Sequence, residues 1–245
     1  MHTYDRLLKS RTALCVALLV WVGWRVHAVL SLPSLADPRE ALLLADVARV
    51  QRGLAPALFH WPGTPWTFLL AWVTRLPLCD TAAGMLAVSR LAPIPFAATA
   101  LVVVFRLAGQ VTPRALLPTA LLATAPGFAS GESNLALVDV PMLSLALCSI
   151  GIASSGVNGT RRYYGRLAVA GLLLGLASAV KLPAAASAPV LAVIGVGRVT
   201  GRRAAAAVCL LAFGATVGGF VLGCPYIVRD VLAEGGGPVL DGLVY

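Results

Sequence analysis

Two carboxylates stand at the ends of apolar segments, where an ionisable group is unfavourable unless it has a function. Asp37 lies in the stretch Asp37-Pro-Arg-Glu40, and Asp139 lies in Val138-Asp139-Val140-Pro141. Two acids that are far apart in sequence but share one face suit acid–base chemistry or the binding of a divalent cation. Asp37 and Asp139 are therefore candidate catalytic residues, and they would be the ligands if the site uses a metal ion.

Each acid also has a purely structural explanation. Asp37, Pro38 and Glu40 have the spacing of a capping box, in which Asp37 is the N-cap and Glu40 is the return partner. Asp139 could cap the helix that begins just before Pro141. Both explanations stay open, because a capping carboxylate is also held rigidly, and Glu40 is kept as a third catalytic candidate.

Two basic residues are candidates for binding a phosphate. Lys181, one of only two lysines, follows an apolar segment and precedes a proline, and Arg90 stands at the start of another apolar segment. Either side chain could instead reach the membrane surface only to hydrate its charge. His60, Glu132 and Arg229 are weaker candidates for substrate binding.

The elements that must position these residues are membrane helices. The chain has 245 residues, of which 59% are hydrophobic and 12% are charged, whereas soluble domains are about 45–50% apolar and about 25% charged. The apolar residues come in blocks near the ~20 residues that cross a bilayer. The net charge of +9 does not indicate nucleic acid, because the placement of basic residues matters more than their sum in such a protein. The sequence therefore predicts an all-α polytopic membrane protein.

One domain with about seven transmembrane helices is predicted over residues 1–245. The N-terminus has the basic start and apolar run of a signal peptide but no small-residue cleavage site, so the first span is expected to be retained. The outer loop 31–85 contains two segments, 38–52 and 65–79, that are predicted to lie as amphipathic helices in the membrane interface. The predicted spans are residues 12–30, 86–105, 115–130, 139–155, 166–180, 183–197 and 204–222.

Charge sorting predicts the orientation. With the N-terminus in the cytoplasm, most of the 19 basic residues lie in cytoplasmic segments, and all of the ten acids except Asp5 lie in outer segments. Lys and Arg are enriched on the cytoplasmic side of membrane proteins. The candidates Asp37, Arg90, Asp139 and Lys181 then share the extracytoplasmic face of an integral membrane protein, expected in a bacterial plasma membrane.

Several kinds of site have no motif in the sequence. The five cysteines lack metal-ligand spacing, and there is no Walker loop, dinucleotide glycine fingerprint, HExxH or GxSxG motif. No cofactor is therefore assigned beyond the divalent cation considered above. Cys79 and Cys224 fall on the outer side, where a disulfide is conceivable. Gly171 and Gly175 are four residues apart in one span, which predicts close helix packing.

Taken in order, these short elements resemble the GT-C superfamily of membrane glycosyltransferases, and most closely its family 39-like branch. That branch includes protein O-mannosyltransferases, the aminoarabinose transferase of lipid A and the Rgt-type transferases of lipopolysaccharide cores. One departure is that Arg39 precedes Glu40, where family members often carry an acid. The resembling stretches are Asp37-Pro-Arg-Glu40, Ser89-Arg90-Leu91, Val138-Asp139-Val140-Pro141, Gly175-Leu-Ala-Ser-Ala-Val-Lys181 and Gly223-Cys-Pro225-Tyr226.

The resemblance implies inverting transfer of a sugar from a polyprenyl-phosphate donor to a hydroxyl of a lipid, glycan or protein acceptor on the outer face. Asp37 would be the base or would order the acceptor, and Asp139 would be the second acid. Lys181 and Arg90 would hold the donor phosphate, because cations that neutralise a leaving phosphate lower the barrier. Such transferases continue beyond a seventh span, so the chain is expected to lack a C-terminal part.

Two other functions remain open for this sequence. A transporter or flippase-like carrier of a lipid-linked or anionic solute would need polar groups near mid-membrane and repeat symmetry, and the sequence shows neither. A non-catalytic, truncated membrane subunit would use the acids only as helix caps.

Overall fold

The computed structural model of the chain describes residues 2–32, 38–57, 64–75, 81–112, 114–124, 138–155 and 160–226. All regular structure in these ranges is helical. The α-helices are α1 (His2–Ser31), α2 (Pro38–Gln51), α3 (Thr64–Val73), α4 (Ala82–Leu91), α5 (Pro93–Val111), α6 (Leu116–Thr124), α7 (Asp139–Ser154), α8 (Thr160–Val180), α9 (Ala188–Val196) and α10 (Arg202–Gly223), and a 3₁₀ helix (Leu182–Ser187) precedes α9.

Four helical stretches are long and apolar enough to cross a membrane. They are Arg11–Ser31 in α1, Ala82–Val111 across α4 and α5, Arg162–Val180 in α8 and Arg202–Gly223 in α10. Two apolar stretches are shorter, α7 and the segment Leu182–Val196. The predicted all-helical membrane class agrees with this result, whereas the predicted number of seven spans goes beyond the four long helices.

Helix α8 lies at the centre of the described fold and packs against α7 and α10. Its small residues permit this packing: a Cβ atom on Gly171 would lie 2.6 Å from Cβ of Ala215, and one on Gly175 would lie 2.7 Å from Cα of Gly219. The close packing predicted from the glycine spacing is therefore present. The buried core here consists of Ala146 and Ala153 of α7, Tyr163, Leu167, Ala170, Leu174 and Ala177 of α8, Ala184 and Leu191 beyond it, and Val208 and Ala212 of α10.

Helices α2 and α3 pack together across one end of this bundle. Gly53 ends α2 at a φ of +78°, and the amide of Leu54 donates to the carbonyl of Arg49, as in a Schellman motif. The apolar cluster beneath α2 and α3 includes the starts of α5 and α7 and the end of α8. Its members are Leu43, Val47 and Val50 of α2, Trp66, Leu70 and Ala71 of α3, and Val180, with Leu69, Ala92, Phe96, Val138, Met142 and Leu145 packed around them.

The buried face of α2 includes an acidic residue as well as apolar residues. Leu42 is 47% exposed, whereas Asp46 is buried and accepts a hydrogen bond from the backbone N–H of Ala57 at 2.8 Å. A polar group can be buried there because the protein itself supplies its partner.

Cys224, which follows α10, is a free and buried thiol. The disulfide considered for it is therefore wrong, and Cys79 lies outside the described residues. Burial raises the pKa of the Cys224 thiol to about 12, so the group stays protonated at neutral pH.

Candidate functional site

The predicted site residues divide into two sets. Those that the structure describes are Glu40, Arg90, Asp139 and Lys181. Those outside the described residues are Asp37, His60, Glu132 and Arg229.

Asp139 and Lys181 meet at the end of the bundle, although they are 42 residues apart. Asp139 is the first residue of α7, and Lys181 follows α8 in an extended conformation. The Nζ atom of Lys181 lies 2.5 Å from Oδ1 of Asp139, and the side chains are 40% and 52% exposed respectively. The N-cap of α7 is Val138, so the capping explanation of Asp139 is wrong. The two groups form an ion pair that solvent and ligands can reach.

Glu40 and Arg90 form a second ion pair of a different kind. Nε of Arg90 donates to Oε1 of Glu40 at 2.8 Å, and Nη2 donates to Oε2 at 2.6 Å. The Arg90 side chain is 3% exposed and the Glu40 side chain is 0% exposed. This bidentate geometry satisfies both carboxylate oxygens and holds the start of α2 against α4. Arg90, predicted to hold a donor phosphate, is engaged by a carboxylate in this structure.

Both ion pairs border the same apolar cluster. Val138 and Val180, the neighbours in sequence of Asp139 and Lys181, belong to the cluster beneath α2 and α3. Leu43, one turn after Glu40, belongs to it as well. The structure therefore places the four described candidates, Glu40, Arg90, Asp139 and Lys181, around one apolar cluster, with the first pair buried and the second pair exposed.

A further charged residue in this part of the fold, Arg25, was given no role by the sequence. Arg25 lies inside α1 yet is only 1% exposed. Its guanidinium lies 5.5 Å from the ring of Trp21 and 5.7 Å from the ring of Trp24. The signal that could have found it is an arginine within an apolar span, flanked by two tryptophans.

Only part of the predicted metal site lies within the described residues. They contain no group of three His, Cys, Asp or Glu side chains that could hold one. The Asp139 carboxylate already contacts the ammonium group of Lys181. Of the two ligands predicted for a divalent cation, Asp37 lies outside the described ranges.

Comparison with known proteins identifies no relative of this chain. No protein-family model, no curated protein and no solved structure matches it. Functional inference for this chain therefore depends on its own residues and their geometry.

Proposed function

We propose that the chain is a membrane glycosyltransferase that moves a sugar from a polyprenyl-phosphate donor to an acceptor hydroxyl on the extracytoplasmic face. The observation that carries the proposal is the half-exposed Asp139–Lys181 pair at the end of the helix bundle. A carboxylate and an ammonium group at this position are the two kinds of charge that the reaction requires.

The chemistry assigns a role to each charge. The acceptor oxygen attacks the anomeric carbon on the side opposite the phosphate. The bond between the anomeric carbon and the phosphate oxygen breaks, and the lipid phosphate leaves with the electron pair. Lys181 neutralises the charge that develops on the phosphate. Asp37 remains the predicted base that takes the hydroxyl proton, and Asp139 is the second acid. An incoming phosphate competes with Asp139 for Lys181, so donor binding frees the carboxylate.

Energetics favour a functional over a structural role for the exposed pair. A solvent-accessible ion pair contributes only about 0–1 kcal/mol to stability. The Asp139–Lys181 pair therefore contributes little to the stability of the fold. The buried Glu40–Arg90 pair is the structural partner in this proposal, since it holds the start of α2 against α4.

The finer architecture belongs to the same proposal. Seven crossings with a cytoplasmic N-terminus result if α6, α7 and the segment Leu182–Val196 cross the membrane beside the four long helices. The 16 residues of α7 rise about 24 Å, and a shortfall against the ~30 Å hydrocarbon core can be met by local thinning of the bilayer. Helices α2 and α3 then lie in the outer interface.

Substitution of the exposed pair tests the proposed function. We expect Asp139→Asn and Lys181→Gln each to lower sugar transfer from lipid-linked donors by roughly 10²-fold or more. The free energy of unfolding should change by less than about 1 kcal/mol, because the pair is exposed. Transfer to endogenous acceptors is measured in membranes that contain the full chain, and unfolding is measured on purified protein.

Arg198→Gln is the matched control. Arg198 donates to the carbonyl of Ser154 at 2.6 Å, which links α7 to the chain after α9 at the opposite end from Asp139. This variant should transfer sugar at the wild-type rate. Full activity in both site variants, or a loss of activity that merely follows a loss of folded protein, would contradict the proposal.

A further inference from the structure

Arg25 is a buried cation without a compensating anion among the described residues. Its Nε and Nη1 atoms are buried and have no hydrogen-bond partner there. Arg90 and Lys181, by contrast, each contact a carboxylate. Ionisable groups inside a membrane span mark ligand or ion sites by default.

The aromatic neighbours of Arg25 do not account for its burial. Cation–π contacts with Trp21 and Trp24 stabilise the charge, but such contacts are weaker than the desolvation of a guanidinium group. The N–H groups of Nε and Nη1 remain without acceptors. A ligand that supplies acceptor oxygens would satisfy them.

Two further polar groups, one on α1 and one on α4, lack partners as well. The described residues contain four buried side-chain nitrogen or oxygen atoms without a hydrogen-bond partner, and they belong to Trp21, Arg25 and Ser89. Trp21 lies one turn before Arg25 on the same face of α1, and Ser89 lies on α4, which packs against α1. An indole N–H, a guanidinium and a hydroxyl can all donate, so their common complement is an anion with several acceptor oxygens.

An apolar groove leads along α1 to this position. A cavity of about 320 Å³ between α1, α5 and α6 is lined by Leu18, Trp21 and Leu101 among other apolar residues. A second cavity of about 530 Å³ continues it through Leu18 towards Arg106. The groove therefore offers room for a hydrocarbon chain whose end lies one helical turn from Arg25.

We infer that Arg25 binds the phosphate of a polyprenyl-phosphate lipid whose chain lies in the groove along α1. The positive charge and the three unpartnered donor groups select the phosphate, and the apolar walls select the chain. This inference rests on the proposed function, because it assigns a second cation, besides Lys181, to the lipid phosphate of the donor.

Lipid binding to the purified full chain tests the inference. The probe is undecaprenyl phosphate, measured by native mass spectrometry, and it is compared with undecaprenol and with inorganic phosphate. Undecaprenyl phosphate should bind the wild-type chain, and Arg25→Gln should weaken this binding roughly tenfold or more, since hydrogen bonds to a charged group are lost. Undecaprenol should bind both proteins alike, and inorganic phosphate should bind neither, because the site requires both parts of the lipid.

Arg106→Gln is the matched control, since Arg106 is an exposed arginine that lines the other end of the groove. The affinity of the Arg106→Gln variant for undecaprenyl phosphate should equal that of the wild type. If Arg106→Gln loses binding while Arg25→Gln keeps it, the phosphate lies at the opposite end and the inference is wrong.

Thermal stability separates ligand binding from a role in folding. Replacing a buried, unpaired charge by an apolar side chain of similar size is expected to be neutral or stabilising. Arg25→Met without lipid should therefore melt no earlier than the wild type, and undecaprenyl phosphate should no longer raise its melting temperature. An unfolded Arg25→Met protein, or one that undecaprenyl phosphate still stabilises, would overturn the inference.

Sugar transfer measured on the same preparations distinguishes the inference from the proposed function. If Arg25→Gln loses lipid binding and the wild type transfers no sugar, the lipid site is supported and the proposed enzyme activity is wrong. If the wild type transfers sugar and Arg25→Gln has an unchanged KM for the donor, the lipid site is wrong and the proposed enzyme activity is supported.

Discussion

Glu40 and Arg90 show how a single buried contact fixes the position of a whole helix. The carboxylate and the guanidinium are both withdrawn from solvent, and two hydrogen bonds join them. Each charge would be strongly unfavourable in this environment without the other. Because Glu40 lies in the first turn of α2 and Arg90 in the last turn of α4, the pair determines where the start of α2 lies against α4.

Removing one member of this pair should destabilise the protein. Glu40→Gln removes the carboxylate charge that pairs with the buried Arg90 guanidinium, so we expect the free energy of unfolding to fall by about 3–5 kcal/mol. The double variant Glu40→Leu/Arg90→Met should recover most of that loss, because it buries no charge. Chemical denaturation of purified protein in detergent measures both. Equal stability of Glu40→Gln and the wild type would show that the pair does not hold α2.

The single residues were more predictable than their pairing. Asp139 and Lys181 stood out because charges are rare in so apolar a chain, and the structure brings them together. The partners themselves lie 42 and 50 residues apart, and only the packing of the helices decides which of several acids a given cation meets. Arg25 escaped notice because it has no acid within helical reach and its burial comes from tertiary packing.

At the scale of the elements, the apolar runs predict both ends of some helices closely and fall short of the ends of others. The predicted spans 139–155 and 204–222 correspond to α7 (Asp139–Ser154) and α10 (Arg202–Gly223). The predicted span 86–105 is exceeded at both ends, because helical structure runs from Ala82 to Val111 with Pro93 at the start of α5. A proline is tolerated at the first position of a helix, where its missing N–H would have no intrahelical partner.

The contact between α8 and α10 gives a prediction about packing. A Cβ on Gly175 would overlap the backbone of α10, including Cα of Gly219 at 2.7 Å. We therefore expect Gly175→Ala to lower the free energy of unfolding by about 1–3 kcal/mol, the typical effect of overpacking. Thermal unfolding in detergent is the measurement.

A second glycine on α10 provides the control for this effect. A Cβ on Gly214 would meet nothing within 4 Å, and alanine is favoured over glycine in a helix by up to about 1 kcal/mol. Gly214→Ala should accordingly be neutral or stabilising. If the two variants melt alike, helix propensity rather than the approach of α8 and α10 governs stability here.

At the scale of the whole molecule, the position of α2 and α3 determines, in the proposed topology, which residues share a side of the membrane. Both helices cover the end at which α5 and α7 begin and α8 ends. Charge sorting in the sequence predicts that Arg90, Asp139 and Lys181 share the extracytoplasmic face, and the side of the membrane on which they lie stays a prediction. The number of crossings could not be obtained from composition alone, because α6, α7 and α9 are shorter than a standard span.

Helix α3 is the element on which the proposed orientation depends. Its ten residues rise only about 15 Å, half of the ~30 Å hydrocarbon core, and the charged Arg75 follows them, whereas the proposed crossing that contains α6 is the uncharged stretch 115–130. We therefore expect α3 not to cross the membrane. Single cysteines at Ala57 and Thr81, which flank α3, should then react with an impermeant maleimide from the outside, in a background without native cysteines. A cysteine at Arg162 should react only after permeabilisation. Labelling of Thr81→Cys from the cytoplasmic side alone would make α3 part of a span, invert every later crossing and separate Asp37 from Asp139.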